Sequence, residues 1–156
     1  MRRGAGLRGQ VHRTHGRNRS RIESFHGAKQ EIPHTQPFTL ESDEPPVLAG
    51  TDKAPNPVEH LLNALAGCLT STLVYHAAVR GIEIEELESE LEGDLDLQGF
   101  LGLASGIRPG HEKIRVRFRV KTPEKNLDKL AALCKLSPVF DVTSRGTKVD
   151  VQVQRM

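Results

Sequence analysis

Residues 56–81 read NPVEHLLNALAGCLTSTLVYHAAVRG, a stretch that predicts one long helix and decides the fold. Asn56 is a favourable N-cap, Pro57 suits the first helical position, and Glu59 falls where a capping-box carboxylate reaches back to the cap. Gly81 is a natural stop beyond the last turn. Apolar and small side chains occupy nearly every face, as in a central helix. A helix of roughly 36 Å is long for this chain, so we expect a homodimer in which part of it packs on a partner subunit.

The composition is that of a globular protein with a modest core. The chain has 156 residues, of which 37% are hydrophobic and none is tryptophan. Its 22 basic and 20 acidic residues give a formal net charge of +2, so we expect no nucleic-acid partner. No long apolar window is free of polar residues, and the N-terminus lacks the apolar stretch of a secretion signal. We therefore expect a soluble, cytoplasmic protein without a membrane partner.

The chain is predicted to divide at about residue 20. Residues 1–20 are rich in arginine, glycine and histidine, which predicts a basic, flexible tail, although such charge also suits a nucleic-acid arm or a targeting helix. Residues 21–156 are predicted to form a single domain. The first apolar anchors of that domain are Ile22, Phe25, Ile32, Phe38 and Leu40.

Two segments after the long helix alternate with a period of two residues, which predicts half-buried strands. Leucines alternate with acidic residues in 86–97, and apolar residues alternate with lysine and arginine in 113–121. These opposite charges suit neighbouring antiparallel strands, because each pair directly across contributes about a few tenths of a kcal/mol. A second helix is expected from Thr122 to just before Pro138. A last strand over residues 147–153, with its valines inward, completes an α+β chain.

Two cysteines are the leading candidates for chemistry. Cys68 lies in the long helix, and Cys134 lies on the apolar stripe of the second helix with Leu127, Leu130 and Ala131. Their separation is wrong for a zinc site and for a Cys-x-x-Cys redox motif, and we expect no metal and no cofactor. Two distant thiols can still meet in the fold, but free cysteines also serve as small core hydrophobes. Spacing alone leaves both alternatives open.

Two histidines flank Cys68 on the same helix. His60 and His76 each lie two turns away from the cysteine, about 12 Å along the axis, so neither can contact it within the helix. We therefore expect surface or interface histidines rather than the Cys–His pair of a hydrolase or acyltransferase.

The long helix resembles that of a known family. The run NPVEHLL followed by ALAGC is similar to the cysteine helix of the OsmC/Ohr family, the osmotically inducible protein C and organic hydroperoxide resistance proteins. Residues 137–153 resemble its closing segment, and the resemblance covers roughly residues 38–153. It implies an intertwined α+β homodimer, with antiparallel sheets packed around long central helices and active sites at the subunit interface. It also implies thiol-dependent reduction of organic hydroperoxides in defence against oxidative stress.

By this resemblance Cys68 is the peroxidatic cysteine. A thiolate attacks the peroxide, and the apolar middle of a helix does not favour a thiolate, so a cation is needed. The family supplies an arginine from the N-terminal region, held by a glutamate near the start of the cysteine helix. Here that arginine would be Arg19, or else Arg21, and the carboxylate would be Glu59. The hydroperoxide-resistance branch has its glutamate one position earlier, where this chain has Val58.

The resolving cysteine of the peroxidase branches immediately precedes a proline, and Ser137 takes that place here. Cys134 lies about one helical turn earlier, and we expect it to form a disulfide with Cys68. If it cannot, the sulfenic acid on Cys68 must be reduced directly by an external thiol, and a dithiol reductant is the expected partner. The alternative function is a non-catalytic dimeric domain that binds an apolar small molecule in its interface pocket.

Overall fold

A computed structural model of the chain describes residues 8–10 and 16–155. Its elements follow in the order β1 (Arg8–Gln10), β2 (Asn18–Gly27), β3 (Gln30–Ser42), α1 (Pro57–Val79), β4 (Glu86–Asp94), α2 (Leu97–Phe100), β5 (Lys113–Lys121), α3 (Leu127–Leu133) and α4 (Pro138–Arg145). Single 3₁₀ turns cover Pro46–Leu48, Glu124–Asn126 and Cys134–Leu136. Helices combined with antiparallel strands confirm the predicted α+β class. The chain divides into two compact units, residues 1–61 and 62–156.

An antiparallel sheet in the order β1-β2-β3 belongs to the first unit. β2 and β3 are joined through Ala28 and Lys29, whose φ angles of 48° and 68° have the sign that a two-residue hairpin turn requires. The large apolar side chains of this hairpin, among them Phe25, Phe38 and Leu40, remain substantially exposed in the single chain. These predicted anchors therefore present an apolar surface rather than a closed core.

The predicted boundary at residue 20 falls within this sheet. β1 covers residues 8–10 and β2 begins at Asn18, so part of the predicted tail is strand. Residues 1–7 and 11–15 lie outside the described residues, and for them the flexible tail remains a prediction.

One buried carboxylate organises the loop between β3 and α1. Asp43 accepts hydrogen bonds from the backbone N–H groups of Glu44, Thr51 and Lys53 at 2.9, 3.4 and 3.2 Å, and from the Thr51 hydroxyl at 2.5 Å. These bonds, that of the Thr51 hydroxyl foremost, lower the pKa of Asp43 to about 2. The ionised carboxylate thus holds together the two ends of the loop that leads to α1.

α1 spans Pro57–Val79, as predicted. Asn56 Oδ1 accepts the N–H groups of Val58 and Glu59, both at 2.9 Å, and Glu59 Oε2 accepts the Asn56 N–H at 2.7 Å, which completes the capping box. Gly81, just past the helix, has the expected positive φ of 64°. By length and composition alone α1 could also cross a membrane, a test that core helices of soluble proteins pass as well.

β4 and β5 form an antiparallel pair in the second unit, with Glu86 opposite Lys121 and Asp94 opposite Lys113. Their exposed face carries the predicted ladder of opposite charges. Its ion pairs join Arg115 to Glu92 and Asp94, Arg117 to Glu90, Arg119 to Glu88, and Lys121 to Glu85. The other face turns toward the core of this unit.

That core is centred on four buried residues shared by α1 and α3, namely Leu73, Ala77, Leu130 and Leu133. Half-buried side chains pack against them: Ile82, Ile84, Leu87, Phe118, Val120 and Cys134. The core thus joins the C-terminal half of α1 to the inner face of the β4–β5 pair.

The buried stripe of the second helix differs from the prediction. Leu127 and Ala131 are exposed, whereas Leu130 and Leu133 are buried and Cys134 is half-buried. The predicted continuous helix is a short α3 between two 3₁₀ turns, and a 3₁₀ turn has three residues instead of 3.6. The buried face of α3 consists of Leu130 and Leu133, and Cys134 continues it into the following 3₁₀ turn.

The C-terminal segment also differs from the prediction. α4 occupies Pro138–Arg145, and no strand forms among residues 147–153 of the described chain. Val149, Val151 and Val153 are 74, 79 and 93% exposed. The alternation is present in the sequence, but a strand needs a neighbour for its backbone hydrogen bonds, and the single chain pairs none with it. The predicted strand with inward valines is therefore wrong for the single chain.

Candidate active site

Cys68 is half-buried in α1 and contacts a hydroxyl of the same unit. Ser137 Oγ donates a hydrogen bond to Cys68 Sγ at 3.1 Å, across 69 residues of sequence. Ser137 itself is 1% exposed. The structure therefore joins a fully buried hydroxyl residue to the sulfur of a half-buried cysteine.

Local backbone structure fixes the position of the Ser137 hydroxyl. Ser137 has φ −73° and ψ 123°, the extended conformation that a residue before proline favours, and it is the N-cap of α4. Its Oγ accepts the backbone N–H of Phe140 at 3.2 Å, while its own N–H donates to the Cys134 carbonyl at 3.1 Å. Because the oxygen is held by the Phe140 amide, its proton is available for Cys68.

Cys134, the second predicted site residue, lies in an apolar environment. It packs against the core of the second unit, and its Sγ donates a long hydrogen bond of 3.9 Å to the Leu130 carbonyl. Burial raises the pKa of the Cys134 thiol, which lowers the fraction of reactive thiolate at neutral pH. Both cysteines are free thiols in the structure. The disulfide between them stays a prediction.

Arg19, the predicted activating cation, lies in the first unit and pairs with Glu41. Arg19 Nε donates to Glu41 Oε1 at 2.7 Å, and Arg17 Nη2 donates to Glu41 Oε2 at 3.1 Å. The bond from Arg19, followed by that from Arg17, lowers the pKa of Glu41. The alternative arginine, Arg21, donates to Glu23 at 2.9 Å. Two guanidinium groups on one carboxylate leave a surplus positive charge near the start of β2.

Glu59 is the predicted partner of that arginine, but its carboxylate accepts a hydrogen bond from the backbone N–H of Asn56. An Arg19–Glu59 pair is not among the ion pairs that the structure gives for residues 16–155, and Glu41 holds Arg19 instead. Sequence analysis missed Glu41, although it stands directly opposite Arg19 in the β2–β3 register. The turn at Ala28 and Lys29 alone would place Arg19 opposite Phe38, and it is the register shift between Ile22 and Ser24 that brings Glu41 there. The roles of Arg19 and Glu59 at Cys68 remain predictions.

The two histidines of α1 have partners of their own. His60 Nε2 lies 2.8 Å from the Glu41 carbonyl oxygen, and His76 Nδ1 lies 3.1 Å from Arg80 Nη1. Within the described part of the chain, no group of three His, Cys, Asp or Glu side chains could hold a metal ion. A depression of about 10 Å³ on the charged face of β4 and β5 has room for roughly one water molecule.

Comparisons with known proteins place this arrangement in context. A family model described as OsmC-like protein matches residues 50–152. An OsmC-like protein from Mycoplasma pneumoniae has a similar fold, with a TM-score of 0.66 and 18% identity, over 93% of this chain and 90% of that chain. A comparison with curated proteins finds no match.

Two further solved structures are similar. An organic hydroperoxide resistance protein OsmC from Legionella pneumophila gives a TM-score of 0.60 at 16% identity, covering 90% of each chain. An OsmC-like protein of unknown function from Vibrio cholerae gives 0.64 at 13% identity, covering 86% of this chain and 90% of that one. At these identities the likeness of structure shows the fold alone.

Proposed function

Because this chain belongs to the OsmC-like protein family, we propose that it is a thiol-dependent peroxidase that reduces organic hydroperoxides through Cys68 in a response to stress. The observation that carries the proposal is the contact between Ser137 and Cys68. Both cysteines are half-buried, but Cys134 packs among apolar groups, as a structural cysteine does, whereas Cys68 accepts a hydrogen bond from a hydroxyl. The fold shared with an organic hydroperoxide resistance protein supports the substrate class.

The first chemical step oxidises Cys68. Its thiolate attacks the terminal, hydrogen-bearing oxygen of the hydroperoxide. An S–O bond forms while the O–O bond breaks, and the sulfur loses two electrons. The departing alkoxide takes a proton from solvent and leaves as an alcohol. Cys68 is then a sulfenic acid, the first and reversible stage of thiol oxidation.

The second step reduces Cys68 with an external thiol. One thiol attacks the sulfenic sulfur, which releases water and leaves a mixed disulfide. A second thiol then displaces Cys68 and departs as a disulfide, so that a dithiol supplies both equivalents. We place this step outside the chain because the raised pKa of Cys134 makes it a slow attacking thiol. Resolution through a Cys68–Cys134 disulfide is the competing route.

The remaining parts of the proposal concern assembly and electrostatics. A homodimer in the cytoplasm is proposed, and the exposed Phe38 and the exposed valines of residues 147–153 support it, because a second chain would cover them. Arg19 is proposed as a cation of the homodimeric site, with Glu41 rather than Glu59 as the carboxylate that orients it. The role of Glu59 is then to complete the capping box that stabilises the start of α1.

The experiment that tests the function is a turnover assay with a dithiol reductant. Cumene hydroperoxide and a fatty-acid hydroperoxide are compared with hydrogen peroxide for the wild type and for Cys68→Ser. We expect turnover that favours the organic substrates and is lost in the variant. Wild-type turnover no faster than that of Cys68→Ser would contradict the proposal.

A non-catalytic binding domain is the second candidate function. Ser137 favours it, because this residue stands where the peroxidase branches carry their resolving thiol and cannot itself form a disulfide. Such a domain would bind an apolar molecule in a pocket at the subunit interface. Saturable binding of an apolar fluorescent probe to a dimer that shows no turnover would favour this candidate over the enzyme.

A further inference from the structure

We infer that Ser137 is a catalytic residue that stabilises the Cys68 thiolate, through a hydroxyl polarised by the N-terminus of α4. The inference deepens the proposed function, on which it rests, because it identifies a group that activates the nucleophile within the second unit. It follows from the position of Cys68 in α1, from the hydrogen bonds of Ser137, and from the charges around α4.

Cys68 gains no help from the N-terminus of its own helix. α1 begins at Pro57, about 16 Å from Cys68 along the helix axis, and the favourable effect of a helix N-terminus is confined to its first turn. A buried or half-buried sulfur therefore needs a donor from another element. Ser137 is the donor that the structure brings to it.

α4 directs its N-terminus at the Ser137 oxygen. Ser137 is the N-cap, Pro138 at the first helical position has no N–H, and the Phe140 N–H donates to Ser137 Oγ. A hydroxyl that accepts such a bond becomes a stronger donor, because hydrogen bonds in a chain polarise one another. This series of two hydrogen bonds runs from the Phe140 amide through the Ser137 hydroxyl to the sulfur of Cys68.

The charged residues that flank Ser137 in sequence do not oppose this series of hydrogen bonds. Asp141 in the first turn of α4 carries a negative charge, but Arg145 lies one turn later and its Nε is 3.3 Å from Asp141 Oδ1. Lys135 adds a positive charge in the 3₁₀ turn before Ser137. Cys134 in that same turn is held protonated by its raised pKa and so adds no charge at neutral pH.

The hydroxyl favours the charged form of the sulfur over the neutral form. A thiol offers only a weak acceptor, whereas a thiolate accepts a strong, charge-assisted hydrogen bond. A donor that bonds more strongly to the charged form shifts the equilibrium toward that form. Ser137 therefore stabilises negative charge on the Cys68 sulfur without supplying a full positive charge.

The test follows alkylation of Cys68 by iodoacetamide across a pH series, with the modified peptide identified by mass spectrometry. Ser137→Gly removes the hydroxyl, and glycine is tolerated at an N-cap. We expect its neutral-pH rate to fall about tenfold and its pH profile to move toward alkaline pH, because a hydrogen bond to a charged group is lost. Ser137→Thr, which retains a hydroxyl, should restore most of the rate.

Two further variants exclude a purely structural explanation. Ser71→Ala removes another hydroxyl of the second unit, one that donates to the Gly67 carbonyl at 2.9 Å, and should leave the profile unchanged. Ser137→Asp keeps an excellent N-cap but presents only acceptors and a negative charge to the sulfur, so we expect it to react more slowly than both wild type and Ser137→Gly even though α4 is capped. The Asp variant decides the matter if the Gly variant fails to fold.

A folded Ser137→Gly or Ser137→Asp variant with the wild-type rate and pH profile would overturn the inference. Alkylation needs no peroxide, so the two proposals can fail separately. A wild type that shows the Ser137 effect on alkylation but reduces no hydroperoxide would refute the peroxidase and leave the role of Ser137 standing. Peroxide turnover with an unchanged profile in the variants would refute the role of Ser137 alone.

Discussion

The hydroxyl of Ser137 lies 3.1 Å from the sulfur of Cys68, and the contact links the middle of α1 to the N-cap of α4. Neither helix alone creates the site. Its geometry depends on the packing of α1 against the segment that contains α3 and α4, so changes that loosen this packing should lower reactivity before the protein unfolds.

Cys68 should be the residue that hydroperoxide oxidises first. One equivalent of cumene hydroperoxide is expected to add one oxygen to Cys68, because this residue is half-buried and its sulfur accepts a hydrogen bond from Ser137. Intact-mass and peptide mass spectrometry locate the oxygen. Cys68→Ser should abolish turnover while leaving the circular dichroism spectrum unchanged. An oxygen on Cys134 or on a methionine, with Cys68 still reduced, would show that the assignment is wrong.

Oxidised protein should carry a sulfenic acid on Cys68 that advances to sulfinic acid as peroxide increases. The raised pKa of Cys134 disfavours its thiolate, so capture of the sulfenic acid within the chain should be slow. Cys134→Ala is therefore expected to retain most of the turnover with an external dithiol. A non-reducing peptide map provides the check, since an abundant Cys68–Cys134 cross-linked peptide would establish the two-cysteine route instead.

The chain should form a homodimer in dilute solution, with a mass twice that of its 17.2 kDa chain. Val151→Lys should weaken the dimer, because this residue belongs to an exposed segment with the alternation of a strand and no partner in the single chain. Val47→Lys places the same change on an exposed valine of a 3₁₀ turn and serves as the control. Light scattering that shows a stable wild-type monomer would contradict the prediction.

Asn56→Ala should lower the free energy of unfolding by about 1 kcal/mol, because the Asn56 side chain accepts two backbone N–H groups at the start of α1. Chemical denaturation measures the change. Asn63→Ala, on an exposed position of the same helix, should be neutral or slightly stabilising, since alanine has the higher helix propensity. Equal losses for the two variants would mean that the cap is not what stabilises the helix.

Asp43 should make the fold sensitive to acid. Its pKa of about 2 in the folded chain lies below the ordinary value of 3.8, so its contribution is complete above the ordinary value and is lost as the pH falls through the folded value. Thermal midpoints should therefore decline between pH 3.8 and about 2. Asp43→Asn should be less stable at neutral pH and show a shallower decline, whereas Asp150→Asn, on an exposed segment, should match wild type.

The sequence predicts best those elements that local patterns determine. The capping box, the apolar run and Gly81 predict α1 with both ends in place, because each signal acts within a few residues. The alternating charges of β4 and β5 predict two strands, their pairing and their solvent face. The choice of Cys68 as the candidate peroxidatic cysteine also comes from the sequence, because of its position in this helix.

The elements that sequence did not predict depend on distant partners. The β2–β3 turn has no glycine at its two left-handed positions, Ala28 and Lys29, so the usual hairpin signal is missing. The valines of residues 147–153 alternate correctly, but a strand also needs a neighbour. The resemblance put Ser137 where a resolving thiol would lie, but the hydrogen bond from its hydroxyl to Cys68 is visible only in the fold.

The charge ladder on β4 and β5 has a further consequence for how these strands find each other. A slip by one residue would place acidic side chains against apolar ones, but a slip by two would keep opposite charges facing each other along most of the ladder. Charge pairing therefore disfavours only those registers in which the strands are shifted by an odd number of residues. The inner face distinguishes the even shifts, because it sets Ser89 opposite Phe118 and Gly93 opposite Ile114, whereas a slip by two would set a leucine opposite Phe118. The positions of the two smallest residues of β4 thus mark the observed alignment of the two strands.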